Sequence, residues 1–435
     1  MASSAKHVVI IGGGFGGIAA ARALKHAPVR LTMIDRRNHH LFQPLLYQVA
    51  TAALNPSDIA SPIRRILRRQ GNASVILGEA VSIDTRRKIV QLADGEVAYD
   101  YLIVASGATH SYFGHDEWLE AAPGLKTLED AVEIRRRVLV AYEAAEREVD
   151  AAEVANWMTF VIIGAGPTGV EMAGALAEIS RRVLERDFRT IDPGNARIIL
   201  IEAGPRVLPA MSPESSASAR RQLERLGVEV ITDSPVTAVD DRGVMHGGAR
   251  LDSRTVIWAA GVAASPLGKT LGADVKLDRA GRVIVNQDLL VPAADSVFVI
   301  GDLASISSDG KPVPGLSPAA MQEGRHAARN VTRLIHGEPT LPFHYRDKGT
   351  LATIGKAAAV ADIAGLHLSG LVAWLMWLFV HIFFLIGFRN RFIVIVEWAW
   401  TYVRNDRGAR LITGNVEPML ERGEKPENRK RMLSK

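Results

Sequence analysis

Two stretches of this chain share one pattern of apolar and polar positions. Val8-Val9-Ile10-Ile11 is β-branched throughout and stops at glycine, as expected of a parallel strand buried on both faces. An Ala-rich segment over Ile18–Lys25 reads as a helix, and Arg30–Ile34 as a second strand ending at Asp35. The order recurs mid-chain: a strand over Thr159–Ile163, a helix over Val170–Ile179, a charged helical extension through Arg186–Arg189, and a strand over Ala196–Ile201 that ends at Glu202. A third pattern lies near the C-terminus. Leu371 to Phe388 is apolar except for His381 and Gly387, and a second apolar run, Phe392–Val403, holds Trp398, Trp400 and Tyr402.

The turns between strand and helix carry the chemistry. Gly12, Gly14 and Gly17 fit G-x-G-x-x-G, with Phe15 and Gly16 between them; Gly164, Gly166 and Gly169 fit it again, with Pro167 and Thr168 between. The first glycine permits a tight turn, the second lets backbone approach a pyrophosphate, and the third lets helix pack close to strand. The helix N-terminus adds free N–H groups and partial positive charge for the phosphates. A carboxylate at the end of the next strand can accept from both ribose hydroxyls, which selects Asp35 and Glu202. At Glu202 it would repel a 2′-phosphate, favouring NADH over NADPH, although Arg206 nearby keeps an NADPH reading open. The chain therefore reads as α/β, with two Rossmann-like dinucleotide-binding domains.

Composition narrows the chemistry further. The 435 residues exceed one ordinary domain, and a net charge of +5 suits contact with anionic lipid or nucleotide without arguing for nucleic acid. There is no cysteine, which excludes disulfide frameworks, thiolate metal sites, iron–sulfur clusters and redox dithiols. Redox chemistry would then run on a bound organic cofactor. The histidines lack metal-ligand spacing, so no metal is expected, and His39-His40 reads as a surface turn. No secretory signal pattern precedes Val8, so the nucleotide sites are expected in the cytoplasm.

With both fingerprints in place, the chain resembles the two-dinucleotide-binding-domain flavoproteins of glutathione-reductase-like architecture, and within them the type II, non-proton-pumping NADH dehydrogenases. Tyr101-Leu102-Ile103-Val104-Ala105-Ser106-Gly107-Ala108-Thr109 is similar to the segment closing the FAD domain, and Val256 to Val262, with Gly261, to the exit from the NADH domain. Val297-Phe298-Val299-Ile300-Gly301-Asp302 is similar to the second FAD motif, and Phe42 to Thr51 is a further family-like stretch. The resemblance implies an FAD domain over 1–109 and 266–345, an NADH domain over 110–265, and a membrane-association and dimerisation region over 346–435. It implies FAD contacts at Gly12, Gly14, Phe15, Gly16, Gly17, Asp35, Arg36, Val81, Gly107, Gly301, Asp302, Ala320 and Met321, the last two through free N–H groups. NADH contacts are implied at Gly164, Gly166, Pro167, Thr168, Gly169, Glu202 and Gly261.

The implied reaction is hydride transfer from NADH to FAD, followed by two-electron reduction of a membrane quinone. Glu171, in the first turn of the second helix, either complements the helix dipole or takes part in turnover, as the matching glutamate of the family does. The family's quinone motif, Ala-Gln-x-Ala-x-Gln, aligns with Ser317-Pro318-Ala319-Ala320-Met321-Gln322. Its first glutamine is replaced by Pro318, which leaves Gln322 as the main polar candidate.

The run from Leu371 would make roughly 27 Å of helix, just enough to span a bilayer. Crossing once would leave Arg404, Arg407, Arg410, Arg422, Lys425, Arg429, Lys430 and Arg431 outside, against the positive-inside preference. A monotopic anchor on the cytoplasmic face, with the basic tail on anionic lipid, fits better than a buried hairpin at a dimer core. The leading reading is a homodimeric, membrane-attached NADH:quinone oxidoreductase. The alternatives are a reductase of a soluble acceptor such as ferredoxin, and a non-catalytic flavin redox sensor.

Overall fold

The computed structural model describes residues 5–185, 187–292, 294–386, 388–404 and 409–414. The helices that shape the sites are, in chain order, α1 (Phe15–Ala23), α2 (Leu46–Ala50), α3 (Leu128–Arg147), α4 (Pro167–Glu178), α5 (Ser317–Ile335), α6 (Leu371–Phe384) and α7 (Phe388–Arg404). The chain divides into two compact units. One comprises Met1–Leu41, Ala60–His110 and Val262–Lys348; the other comprises Phe42–Ile59, Ser111–Gly261 and Gly349–Lys435.

In the first unit, strand Lys6–Ile11 lies in the middle of a sheet. Val29–Asp35 and then Ala73–Leu77 follow on one side; Tyr101–Val104, Ala294–Val299 and the short Leu290–Val291 follow on the other. All pairings are parallel except the last. Val8, Val9 and Ile10 are wholly buried, as a strand covered on both faces requires. Each such side chain contributes about 1.5–3 kcal/mol on burial. Helix α1 is then clamped from outside by α5. A Cβ on Gly324 would stand 2.2 Å from the Gly16 carbonyl oxygen, so the two backbones touch.

The second unit repeats the plan with a parallel sheet ordered Val228–Ile231, Arg197–Ile201, Thr159–Ile163, Thr255–Trp258. Helix α3 begins with a capping box between Thr127 and Asp130. Helix α4 runs into a single π-turn over Ile179–Val183, where the Ser180 hydroxyl donates to the Leu176 carbonyl and lies 2.6 Å from the buried Tyr142 hydroxyl. Residues 187–189 are not helical, contrary to the charged helical extension expected there; Glu146 instead accepts the Arg189, Thr190 and Ile191 N–H groups and holds that segment in a bend. Arg186 lies outside the described residues.

A three-stranded antiparallel sheet, Thr350–Gly355, Ala358–Ile363 and Leu366–Ser369, packs on α4. Contact is backbone to backbone: a Cβ on Gly174 would sit 1.6 Å from the Ile354 oxygen. Helix α6 covers the same sheet through Ala373, Ala359 and Ala361. The apolar run expected to continue to Phe388 stops as helix at Phe384, where Leu385 turns extended. The Arg391 guanidinium takes up the carbonyls released there, donating to Leu385 O at 2.7 Å and to Phe383 O at 2.6 Å. No helix among the described residues is long and apolar enough to cross a membrane. Of the basic tail, Arg410 pairs with Asp187. Arg407, Arg422, Lys425, Arg429, Lys430 and Arg431 lie outside the described residues.

Candidate functional site

The two glycine turns are near copies. Gly12 adopts φ +100° and Gly164 φ +98°, a conformation that side chains rarely tolerate. In each turn a Cβ on the third glycine, Gly17 or Gly169, would lie 1.8 Å from the first glycine's carbonyl oxygen. Gly14 and Gly166 are the helix N-caps, and a Cβ there would meet nothing within 4 Å. Open space in front of unsatisfied helix N–H groups is what an incoming pyrophosphate needs.

The two acids also match. Asp35 accepts from Gly13 N–H at 2.5 Å with one oxygen and from Arg37 N–H at 2.7 Å with the other. Glu202 accepts from Ala165 N–H at 2.7 Å and from Gly204 N–H at 2.8 Å. A carboxylate offers about four acceptor positions, so each acid holds its glycine turn and keeps capacity for ribose hydroxyls.

Around the first turn, one expectation is corrected. His40 is not on a surface turn; it lies in strand His39–Leu41 and is 2% exposed. Its Nδ1–H donates to Gly13 O at 2.9 Å, the Phe15 ring stands edge-on at 5.0 Å, and burial pushes its pKa down to about 4, so it is neutral. The reason is non-local, because the Gly13 carbonyl turned inward by the glycine turn needs a donor. Ser106, beside Gly107 (φ +68°), has a buried hydroxyl without a partner among the described residues. Arg36 is exposed, 4.0 Å from Glu79, and Val81 is half exposed on strand Ala80–Asp84. The strand after Gly107, Ala108–His110, pairs antiparallel with Val262–Ala264.

Gly301 (φ +70°) and Asp302 form a helical turn after strand Ala294–Val299, beside α5. The Gly301 N–H donates to Glu323 at 2.5 Å. Burial drives the Glu323 carboxyl up to about 7, opposed by that N–H and reinforced by Asp302. Glu323 is not among the residues that the sequence singles out; an acid within an otherwise small-residue helix face is the available signal. Two expectations on α5 change. Because the helix starts at Ser317, the Ala320 N–H is not free but bonds Leu316 O at 3.0 Å, and Met321 is past the unsatisfied first turn. The Gln322 carboxamide is engaged on both sides by Arg346, donating to its carbonyl at 3.1 Å and accepting its N–H at 3.0 Å.

Within the second unit, Gly261 lies tight against Phe113. Pro167 and Thr168 are exposed in the first turn of α4. Glu171, one turn further, points into a cavity lined by Tyr47, Gln48, Glu178, Lys356 and the indoles of Trp374, Trp377 and Trp398. Burial pushes its carboxyl up to about 8, against the pull of the Thr353 backbone N–H, so it carries a proton at neutral pH. Trp377 Nε1 is buried and has no hydrogen-bond partner among the described residues. His381 stacks on Trp377 at 4.3 Å, donates from Nδ1 to its carbonyl, and is pushed down to about 4 by burial. None of these tryptophans stands out as a site residue from sequence, since aromatic residues in an apolar run read first as lipid contacts. No group of His, Asp or Glu among the described residues could hold a metal ion.

Comparisons with known proteins bear on the same segments. Residues 6–324 match the pyridine nucleotide-disulphide oxidoreductase family, and residues 348–404 match the NDH2 C-terminal domain. The type II NADH:quinone oxidoreductase NdhA of Mycobacterium tuberculosis is 47% identical, covering 94% of this chain and 90% of its own. Ndh, also a type II NADH:quinone oxidoreductase of that organism, is 44% identical over 93% and 90%. The Staphylococcus aureus enzyme of the same description is 30% identical over 85% and 92%. Among solved structures, NDH2 from Plasmodium falciparum in complex with NADH aligns at a TM-score of 0.86 and 20% identity, over 94% of this chain and 100% of that one. The sulfide:quinone oxidoreductase of Aquifex aeolicus aligns at 0.72 and 22%, over 92% and 96%. These two share the fold.

Proposed function

This chain belongs to the type II NADH:quinone oxidoreductases within the pyridine nucleotide-disulphide oxidoreductase family, and from that premise we propose that it oxidises NADH and reduces a membrane quinone through bound FAD, without pumping protons. The observation that carries the reading is a pair of complete dinucleotide cradles, each with its own acid, in a chain that has no cysteine. Without cysteine, the disulfide and sulfide chemistries that share this fold have no nucleophile here.

The first cradle fits FAD. Gly12, Gly14, Phe15, Gly16 and Gly17 would hold the pyrophosphate, and Asp35 the ribose. Gly107, Gly301 and Asp302 would line the remainder, with Arg36 and Val81 at the margin. The buried Ser106 hydroxyl, without a partner among the described residues, supports a polar occupant there. Ala320 and Met321 take part through side chains and position, since their N–H groups are within the helix. The second cradle fits NADH, through Gly164, Gly166, Pro167, Thr168, Gly169 and Gly261, with Glu202 on the ribose and against a 2′-phosphate. Bound FAD would supply the two-electron step between a hydride donor and a quinone.

The chain's own residues handle the proton. Reduction of a quinone to a quinol consumes two protons, and Glu171 holds one in an indole-walled cavity at neutral pH. A neutral planar acceptor with carbonyl oxygens suits those walls, and the Trp377 N–H, without a partner among the described residues, is a donor for it. The Gln322 carboxamide is tied to Arg346 and keeps one N–H and one acceptor position for the acceptor.

The exposed faces of α6 and α7 support attachment to lipid. Leu371, Val372, Leu375, Phe379 and Phe383 are exposed on α6, and Phe392, Ile395 and Val396 on α7. An apolar patch of this extent next to a basic tail suits a monotopic anchor on the anionic cytoplasmic leaflet, with a homodimer formed through residues 346–435. The FAD part would comprise 1–109 and 266–345, and the NADH part 110–265. The purified holoenzyme, supplied with NADH and a short-chain quinone, should consume both in equal amounts. NADH oxidation that does not depend on quinone would refute this function.

A further inference from the structure

Helix α7 turns one narrow stripe inward. Asn390, Val394 and Trp398, at i, i+4 and i+8, are buried, whereas Phe392, Ile395 and Val396 face out. The stripe is hydrogen-bonded to the segment around α2. Asn390 Nδ2 donates to Ser57 O and Asp58 O, and Trp398 Nε1 donates to Gln48 Oε1 at 2.7 Å. An indole N–H can only donate, so the amide oxygen of Gln48 must face Trp398 and its NH2 must face away. There Gln48 Nε2 donates to the Tyr47 hydroxyl oxygen at 2.9 Å. Having accepted that bond, Tyr47 directs its own O–H elsewhere. Trp398, Gln48 and Tyr47 all line the cavity that holds Glu171. Gln48 is buried, so a reversed amide would set its NH2 against the Trp398 N–H, donor against donor, with little water to relieve them, and would turn the Tyr47 O–H back onto the amide oxygen.

We infer that Trp398 is a positioning residue for quinone reduction: through Gln48 it fixes the direction of the chain Trp398→Gln48→Tyr47, which makes the tyrosine hydroxyl a donor within the Glu171 cavity. This rests on the function proposed above. The helix that offers its outer face to lipid thereby sets, with its inner face, the hydrogen-bond polarity around the proton-holding acid. Among the described residues, the titratable groups around that cavity are Tyr47 on α2, Glu171 and Glu178 on α4, and Lys356 at the end of strand Thr350–Gly355, with His381 of α6 behind Trp377. Of the inward stripe of α7, the described side chains Asn390, Val394 and Trp398 contribute none.

The test compares holoenzymes carrying Trp398→Phe, Gln48→Leu, Gln48→Glu and the double change Trp398→Phe/Gln48→Leu, all checked for flavin content and melting temperature. Trp398→Phe keeps a ring and removes the donor; Gln48→Glu still accepts from Trp398 and cannot donate to Tyr47 when ionised. Each single change should lower kcat with a short-chain quinone about three- to tenfold at nearly unchanged KM. The alkaline limb of the pH profile should move upward, because losing a donor disfavours the carboxylate further. The double variant should be no slower than Gln48→Leu alone. Anaerobic bleaching of the flavin by NADH should stay within about twofold of wild type. Effects that multiply in the double variant, or a Trp398→Phe profile superimposed on wild type, would overturn the inference. If Trp398→Phe fails to fold, the two Gln48 variants decide by the same pH readout. Wild-type enzyme that bleaches with NADH but ignores quinone would instead overturn the function itself.

Discussion

The two dinucleotide cradles share a turn and differ in what their helices carry on the other side. Gly12 and Gly164 adopt nearly the same φ, Gly17 and Gly169 make the same 1.8 Å approach, and Asp35 and Glu202 accept from equivalent N–H groups. Behind them the likeness ends. Helix α1 is backed by another helix, with Gly324 against Gly16. Helix α4 is backed by a strand, with Gly174 against Ile354, and places Glu171 in the indole-lined cavity. Nucleotide binding constrains only the first turn of such a helix, so the following turns are free to specialise. The first became a rigid mount, and the second became a mount that also carries an acid.

That comparison can be broken most severely at the third glycines. Gly17→Ala should yield colourless protein, because no shift of a side chain relieves a Cβ pressed on backbone. Gly169→Ala should stay yellow while its bleaching by NADH slows about thirty- to a hundredfold. A colourless Gly169→Ala protein would mean that the cradles do not act independently.

The next effect concerns the acid that only α4 carries. Glu171→Gln should lower quinone turnover about ten- to a hundredfold and leave the rate of bleaching by NADH unchanged. In the wild type, turnover should decline as pH rises through about 8, where Glu171 loses its proton. Stability has the same sign. The folded acid titrates above its ordinary 4.5, so the folded state binds more protons between the two values, and the melting temperature should fall as pH rises from about 4.5 to about 8. The Glu171→Gln protein should show a flatter curve in calorimetry across this window.

Smaller effects sharpen the comparison. Glu202→Gln should raise KM for NADH about tenfold and narrow the gap to NADPH, whereas Asp35→Asn should weaken FAD retention instead. Smallest of all is Pro318→Gln, which restores the family's glutamine. With Gln322 already tied to Arg346, KM for quinone should move by less than about threefold. A larger fall would give α5 a direct part in binding the acceptor.

The cradles were legible because their constraints are local. A buried apolar strand, a positive φ at glycine and an acid at the next strand end all sit within one βαβ unit, and each leaves its residue type behind. What escaped reading depends on distant partners. His40 looked like a surface residue until the Gly13 carbonyl claimed its Nδ1–H. Helix α6 looked long enough to span until Arg391 took the Phe383 and Leu385 carbonyls, and the free N–H of Ala320 disappeared once Leu316 capped its helix. Gln48 and Trp398 are 350 positions apart, and nothing in either local sequence joins them. Residues 42–59 group with the mid-chain unit through such contacts, which period and composition do not encode.

The central claim is that one chain passes two electrons from NADH to a quinone. An anaerobic optical titration of the yellow wild-type enzyme tests it directly. One equivalent of NADH per bound flavin should bleach the colour, and one equivalent of short-chain quinone should restore it. Colour that NADH does not remove, or that quinone does not bring back, would contradict the account.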